Sequence, residues 1–291
     1  MEVGKIIAAD AALVEEYLEK VTSTDVIGEG KLRDAMRYSL LGGGKRIRAV
    51  LVLETCRAFG KDPSEALDFA AALEMIQSYS LIHDDLPCMD DDDVRRGKPS
   101  CHKAFGEATA LLAGDALLTC AFERAASHPS EKAAALGCRV LARLAGPLGM
   151  AGGQQIDLEG SSADLGELKR LHSMKTAALI KAAALLGHVA ATDGETDEGA
   201  VTAISEYCEC IGLAFQIRDD LLDLFGDAAV LGKKTGIDSE NGRVNALSFM
   251  TPAEAEAECA KLSDRAAEVI APYDTEGFLR ELPGYLDKRV K

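Results

Sequence analysis

The amino-acid sequence predicts an all-α fold, and three observations carry that prediction. Ala and Leu dominate the apolar content, and Trp is absent. Apolar residues recur at spacings of three and four, as in Leu32, Met36 and Leu40 or in Ile204, Cys208, Ile211 and Phe215, which is the period of a helix. Segments 66–83 and 176–190 are apolar nearly all round, as helices are when neighbours cover them on most sides.

The elements follow in chain order. The N-terminal stretch MEVGKIIAADAALVEEYLEK carries acids where a signal or transit peptide would carry Lys or Arg, so it does not read as one. Breaks at 28–30, 42–44, 60–63, 128–130, 146–147, 160–163 and 193–195 separate the periodic segments, and none is long enough for a domain linker. Roughly ten helices in one domain over 1–291 account for this punctuation. Residues 225–250 read as a Gly-rich, charged loop, and 251–291 as two amphipathic surface helices.

Composition narrows the function. With 291 residues, 47% hydrophobic and 27% charged, the chain can bury a sizeable core and is not disordered. Its 48 acidic and 32 basic residues give a net charge of −16, which disfavours nucleic acid and anionic lipid as partners unless the cations are concentrated in one place. Eight cysteines lie scattered without a CxxC pair and read as reduced thiols, and no uncharged apolar run reaches the ~18 residues needed to span a bilayer, so the expected location is cytoplasmic, with no membrane insertion.

Two aspartate runs carry the chemistry: His83-Asp84-Asp85-Leu86-Pro87-Cys88-Met89-Asp90-Asp91-Asp92-Asp93 and Gln216-Ile217-Arg218-Asp219-Asp220-Leu221-Leu222-Asp223. Asp219 and Asp223 stand one turn apart on one helical face, where two carboxylates repel unless a cation lies between them. Asp84 and Asp90 would point about 120° apart on an ideal helix, so a bend at Pro87 is expected to bring Asp90 round. A single Asp run is as often a solvated face or a cap, but two runs on apolar helices beside basic residues are harder to explain that way. Oxygen-only donors select a hard cation such as Mg²⁺. An EF-hand fails, because Arg95 and Cys101 stand where that loop needs Gly and Glu.

The basic residues gather at Gly42-Gly43-Gly44-Lys45-Arg46-Ile47-Arg48, at Arg95-Arg96-Gly97-Lys98, at Lys175, and at Lys233, Lys234 and Arg243. A Gly-rich turn with Lys and Arg at a helix start suits a phosphate, although the P-loop spacing is missing. Metal and cations that together neutralise a diphosphate, next to apolar walls, suit ionisation of an allylic carbon–oxygen bond.

GGGKRIR, SLIHDDLPCMDDDDVRRGKPSCHKAFGEATALLAGDAL, GGQQIDL, LHSMKTAALI and FQIRDDLLDLFGD resemble, in order and spacing, the motifs of the short-chain trans-isoprenyl diphosphate synthases of the polyprenyl synthetase family, in particular the bacterial farnesyl/geranylgeranyl group. The resemblance implies a single-domain helical bundle around a deep central cavity, a homodimer, and a trio of Mg²⁺ ions once diphosphate is bound. It implies Mg²⁺ ligands at Asp84, Asp90 and Asp219, with Asp85, Asp220 and Asp223 in support. Arg95, Lys175, Gln216 and Lys233 match the group that holds the allylic diphosphate. Lys45, Arg48 and Arg96 match the isopentenyl diphosphate site, where Gln77 also falls, and Arg243 is a further substrate-binding cation. Lys175, Thr176 and Gln216 match residues facing the developing carbocation. The implied reaction is ionisation of dimethylallyl or geranyl diphosphate, attack by the isopentenyl double bond, and proton loss.

The chain departs from the family pattern at three places. Gln77 stands where His is usual and cannot carry charge. Arg243 lies in a segment that lacks the usual Tyr-Pro pair, and Ala49 replaces a Pro. Tyr79, five residues before Asp84 and followed by Ser80, resembles the arrangement that stops growth at C15, so farnesyl diphosphate is the expected product, with geranylgeranyl diphosphate as the alternative. A terpene cyclase would lack the Lys45/Arg48 pair, and a non-catalytic partner subunit would be favoured by loss of one Asp motif. A cation buffer fits poorly with two apolar motifs.

Overall fold

The computed structural model describes residues 2–160, 164–225 and 244–288, and it is all-α as the periodicity predicts. The described residues form fourteen α-helices: α1 (Val3–Val21), α2 (Thr24–Ile27), α3 (Lys31–Leu40), α4 (Ile47–Ala58), α5 (Leu67–Asp84), α6 (Cys101–Phe105), α7 (Glu107–Ala126), α8 (Glu131–Ala145), α9 (Met150–Glu159), α10 (Leu165–His172), α11 (Ala178–Ala191), α12 (Glu198–Phe225), α13 (Pro252–Ile270) and α14 (Phe278–Asp287). The excess over ten comes from one-turn pieces such as α2 and α6 and from the division at Gly106 between α6 and α7. A π-helical turn, Ser173–Ala177, joins α10 to α11. Two short strands, β1 (Val94–Arg95) and β2 (Lys98–Pro99), pair antiparallel.

Two compact units make up the chain. The first holds residues 2–141 and 186–195. Its centre is α5, which packs against α1, α3, α4 and α7. Helix α5 buries Phe69 through Ile76 almost without interruption, which matches its all-round apolar sequence. Phe69 is fully buried, stacks on His128 at 4.7 Å, and lies where a side chain at Gly137 would have to go.

The second unit holds the described residues of 142–185 and 196–288. Helix α12 packs along α13, and α14 packs on both. The C-terminal helices are therefore more than surface helices: Ala255, Cys259, Ala266 and Ile270 of α13 and Phe278, Leu279 and Leu282 of α14 are buried. Tyr207 of α12 is fully buried, and its hydroxyl donates to the Leu279 carbonyl at 2.7 Å, so its polar end is satisfied. A capping box at Thr251 and Glu254, followed by Pro252 at the first helical position, starts α13.

One described helical run, Leu165–Ala191, has the length and apolarity to cross a bilayer, yet 72% of its apolar window is buried inside the protein. Burial of that kind is expected of a core helix.

Candidate active site

Helix α5 ends at Asp84, and the chain then turns back on itself instead of continuing as a bent helix. Pro87 has no N–H to extend the ladder. Leu86 donates to the His83 carbonyl, Met89 and Asp91 both donate to the Leu86 carbonyl, and the Asp90 N–H closes the turn on the Asp84 carbonyl at 2.9 Å. Asp90 is thus returned to the helix end by a hydrogen-bonded turn, where the sequence suggests a kink. Asp84 is half-buried, Asp85 buried and Asp90 exposed.

The hairpin that follows aims two arginines in different directions. Its two-residue loop, Arg96–Gly97, has positive φ at both positions (53° and 74°), as a type I′ turn requires. Arg95 Nε donates to Asp85 at 3.0 Å, and a second guanidinium nitrogen binds the same carboxylate. Burial works against the Arg95 charge, but Asp85, Asp92 and Asp84 more than offset it and hold the guanidinium pKa above its ordinary value. Arg96 donates instead to the Gly43 carbonyl, and its guanidinium carbon lies 3.0 Å from where a Cβ on Gly44 would stand.

Gly42 to Arg46 of the GGGKRIR segment lie in the turn between α3 and α4, and Ile47 and Arg48 begin α4. Lys45 is exposed. Arg48, in the first turn of α4, is half-buried, and its Nε has no hydrogen-bond partner among the described residues. Burial pushes the Arg48 guanidinium pKa down, with Glu74 opposing and Arg96 adding to the effect. Arg46 points inward to Glu15 and Glu74 of α1 and α5 at 2.7 Å each. Gln77 and Tyr79 are half-buried on α5, and Ser80 Oγ donates to the Gln77 carbonyl at 3.0 Å. The Tyr79 ring meets His83 edge-on at 5.7 Å, and burial, then Asp84, raises its hydroxyl pKa.

In the second unit α12 carries Gln216, Asp219, Asp220 and Asp223. Asp219 is half-buried and Asp223 buried. Asp220 is buried, and its Oδ2 accepts the Ala246 N–H at 2.8 Å, beside a cluster that includes Leu168, Ile217, Leu221 and Cys259. Lys175 and Thr176 sit in the π-helical turn, a rare conformation that often marks functional positions. A side chain at Gly153 of α9 would overlap the Lys175 main chain, and one at Gly212 of α12 would overlap Ala177, so two glycines allow α9 and α12 to close on this turn. Lys175 Nζ pairs with Asp157 of α9, and Thr176 Oγ1 donates to Gln216 Oε1 at 3.1 Å. His172, one residue before the π turn, has its pKa lowered to about 4, chiefly by burial, with Lys175 adding and Asp157 opposing.

Each unit carries carboxylates of the kind a hard divalent cation takes, Asp84 and Asp90 in the first and Asp219 and Asp223 in the second. Among the described residues, Asp91, Asp93 and His102 also bring ligand atoms within 4.8 Å of one another, with Asp93 paired to Lys103 at 2.8 Å. Lys233 and Arg243 lie outside the described residues. Sequence reasoning missed Arg46, Glu74 and Asp157. Arg46 and Asp157 lay inside quoted motifs, and Glu74 was signalled by an acid within the apolar run 69–76.

Residues 29–271 match the family model for polyprenyl synthetase. The chain belongs to the polyprenyl synthetase family. This polyprenyl synthetase chain is 42% identical over 276 residues to the farnesyl diphosphate synthase of Geobacillus stearothermophilus, covering 93% of this chain and 90% of that one. It is 45% identical over 268 residues to the farnesyl diphosphate synthase of Escherichia coli (strain K12), with 89% of each chain covered. The crystal structure of an FPP/GFPP synthase from Zymomonas mobilis superposes with a TM-score of 0.85 at 34% identity, covering 97% of this chain and 98% of that one. The chain is accordingly a trans-prenyltransferase with the isoprenoid synthase fold.

Proposed function

We propose that the chain works as one synthase domain, a homodimer in the cytoplasm, that condenses isopentenyl diphosphate with dimethylallyl and then geranyl diphosphate to give farnesyl diphosphate. The observation that carries this reading is the turn that returns Asp90 to Asp84 beside the Asp85–Arg95 pair, which puts carboxylates and a fixed guanidinium at one end of an apolar helix. Asp84 and Asp90, with Asp219 and Asp223, would hold Mg²⁺ against the allylic diphosphate. When bound, the metal supplies positive charge that stabilises the leaving pyrophosphate.

The side chains do the remaining work. Arg95, oriented by Asp85, and Lys175, oriented by Asp157, bind the allylic diphosphate, with Lys233 as a further cation. Thr176 and Gln216 turn oxygens towards the allylic carbon as positive charge grows there, and their mutual hydrogen bond fixes both. Lys45, Arg48, Gln77 and Arg96 hold isopentenyl diphosphate, and Arg243 is a further cation for substrate. Its double bond attacks the allylic carbon, and the proton then lost passes to the released pyrophosphate. Tyr79 and Ser80 close the path of the growing chain at C15.

The test is pyrophosphate release by Asp84→Ala and Asp219→Ala. Each should lose on the order of 10³-fold in rate, as loss of a group that stabilises charge in a transition state does, with the helical circular dichroism unchanged. Near wild-type turnover in either variant would sink the metal assignment.

A further inference from the structure

Arg46 is the least expected residue of the GGGKRIR turn. It adopts φ 53°, a left-handed conformation that a side chain other than Gly's tolerates poorly, and its side chain is 1% exposed. The guanidinium is held from three sides: Glu15 Oε1 and Glu74 Oε2 each stand at 2.7 Å, and the Leu40 carbonyl at the end of α3 accepts a third bond. One side chain therefore ties the end of α3, the start of α4, and both α1 and α5 together. The intervening turn is fixed at its other side by Arg96 on the Gly43 carbonyl.

The charges complete the picture. Arg46 between two glutamates leaves one negative charge over, and Arg48 and Arg96 are the cations nearby that can use it. Glu74 favours the charge on each of them, while Arg96 and Arg48, and Arg96 and Arg46, oppose one another. These arginines repel one another, and the buried Glu74 carboxylate is the countercharge built into the protein. Because that carboxylate is already bonded to Arg46, it compensates the cluster without closing it to an incoming anion.

We propose that Arg46 and Glu74 are a positioning pair for the isopentenyl diphosphate site, holding the 42–45 turn and the Arg48–Arg96 cluster ready for the diphosphate without touching it; this rests on the function proposed above. Loss of the Glu74 charge should spread the cluster and weaken isopentenyl diphosphate binding. It should leave allylic diphosphate binding, which uses Arg95 and Lys175, largely alone.

Steady-state kinetics with each substrate varied at saturating levels of the other test this. Glu74→Gln should raise KM for isopentenyl diphosphate about tenfold, with KM for the allylic diphosphate within about twofold and kcat within about threefold. Glu74→Asp should restore part of the loss. A purely structural role would lower kcat through loss of active enzyme and move neither KM, which would overturn the proposal. If Glu74→Gln fails to fold, Glu15→Gln decides, since that carboxylate is 35% exposed and its loss should raise the same KM about threefold; an unchanged KM overturns the pair. Arg48→Ala separates the two levels. If it leaves KM for isopentenyl diphosphate unchanged, the site itself is misassigned and both readings fall. If it raises that KM while Glu74→Gln does not, the positioning pair alone is wrong.

Discussion

The main-chain N–H of Asp90 donates to the carbonyl oxygen of Asp84 across 2.9 Å, closing a turn that starts where α5 ends. The turn exists because Pro87 cannot supply the next helical hydrogen bond. Pro87→Ala restores that donor and lets α5 grow by a turn, which carries Asp90 away from Asp84. The expected outcome is an apparent Mg²⁺ requirement about tenfold higher, read from pyrophosphate release against metal concentration, with thermal stability little changed.

Asp219 and Asp220 are neighbours with different duties. Asp220 accepts the Ala246 N–H within a buried cluster, so Asp220→Ala leaves that donor unpaired and should cost about 1–3 kcal/mol. Asp219→Ala should cost little stability and nearly all turnover. Urea unfolding midpoints measured beside rates for the two variants separate these roles.

His172 gives the fold an acid-side liability. Its folded pKa, about 4, lies below the ordinary 6.5, so the unfolded chain takes up a proton over that range and the folded one does not. Its contribution is therefore fully present above pH 6.5 and is lost as pH falls towards 4. Stability should drop on the order of 1 kcal/mol per pH unit across this window. Chemical denaturation at pH 7.5 and pH 5 should show the drop in the wild type, and a smaller one in His172→Gln.

Tyr79 sets the last expectation on product size. It is half-buried on α5 one turn before His83, against which its ring packs at 5.7 Å. Tyr79→Ala should shift the main product from C15 towards C20 when the chains are sized after dephosphorylation. An unchanged length removes Tyr79 as the stop.

Much of this was legible in the sequence because it is periodic and local. The core helix α5 and the long α12 follow from apolar spacing, and the pairing of Asp219 with Asp223 on one helical face follows from four residues of separation. What escaped was set by distant parts of the chain. The π turn at Ser173–Ala177 depends on Gly153 and Gly212 of two other helices, the Arg46–Glu74 pair spans 28 residues, and Asp220 finds its partner 26 residues on, at Ala246. The hairpin at Arg95–Lys98 was too short to show a period, yet its Arg-Gly loop decides which arginine meets Asp85 and which meets Gly43.

The most direct test of the central claim is incubation of the purified protein with isopentenyl diphosphate, dimethylallyl diphosphate and Mg²⁺, followed by sizing of the prenyl chain. The account predicts linear all-trans farnesyl diphosphate, with one pyrophosphate released per condensation and none formed when the metal is chelated. A chain no longer than the starter, or a cyclised hydrocarbon in its place, would contradict it.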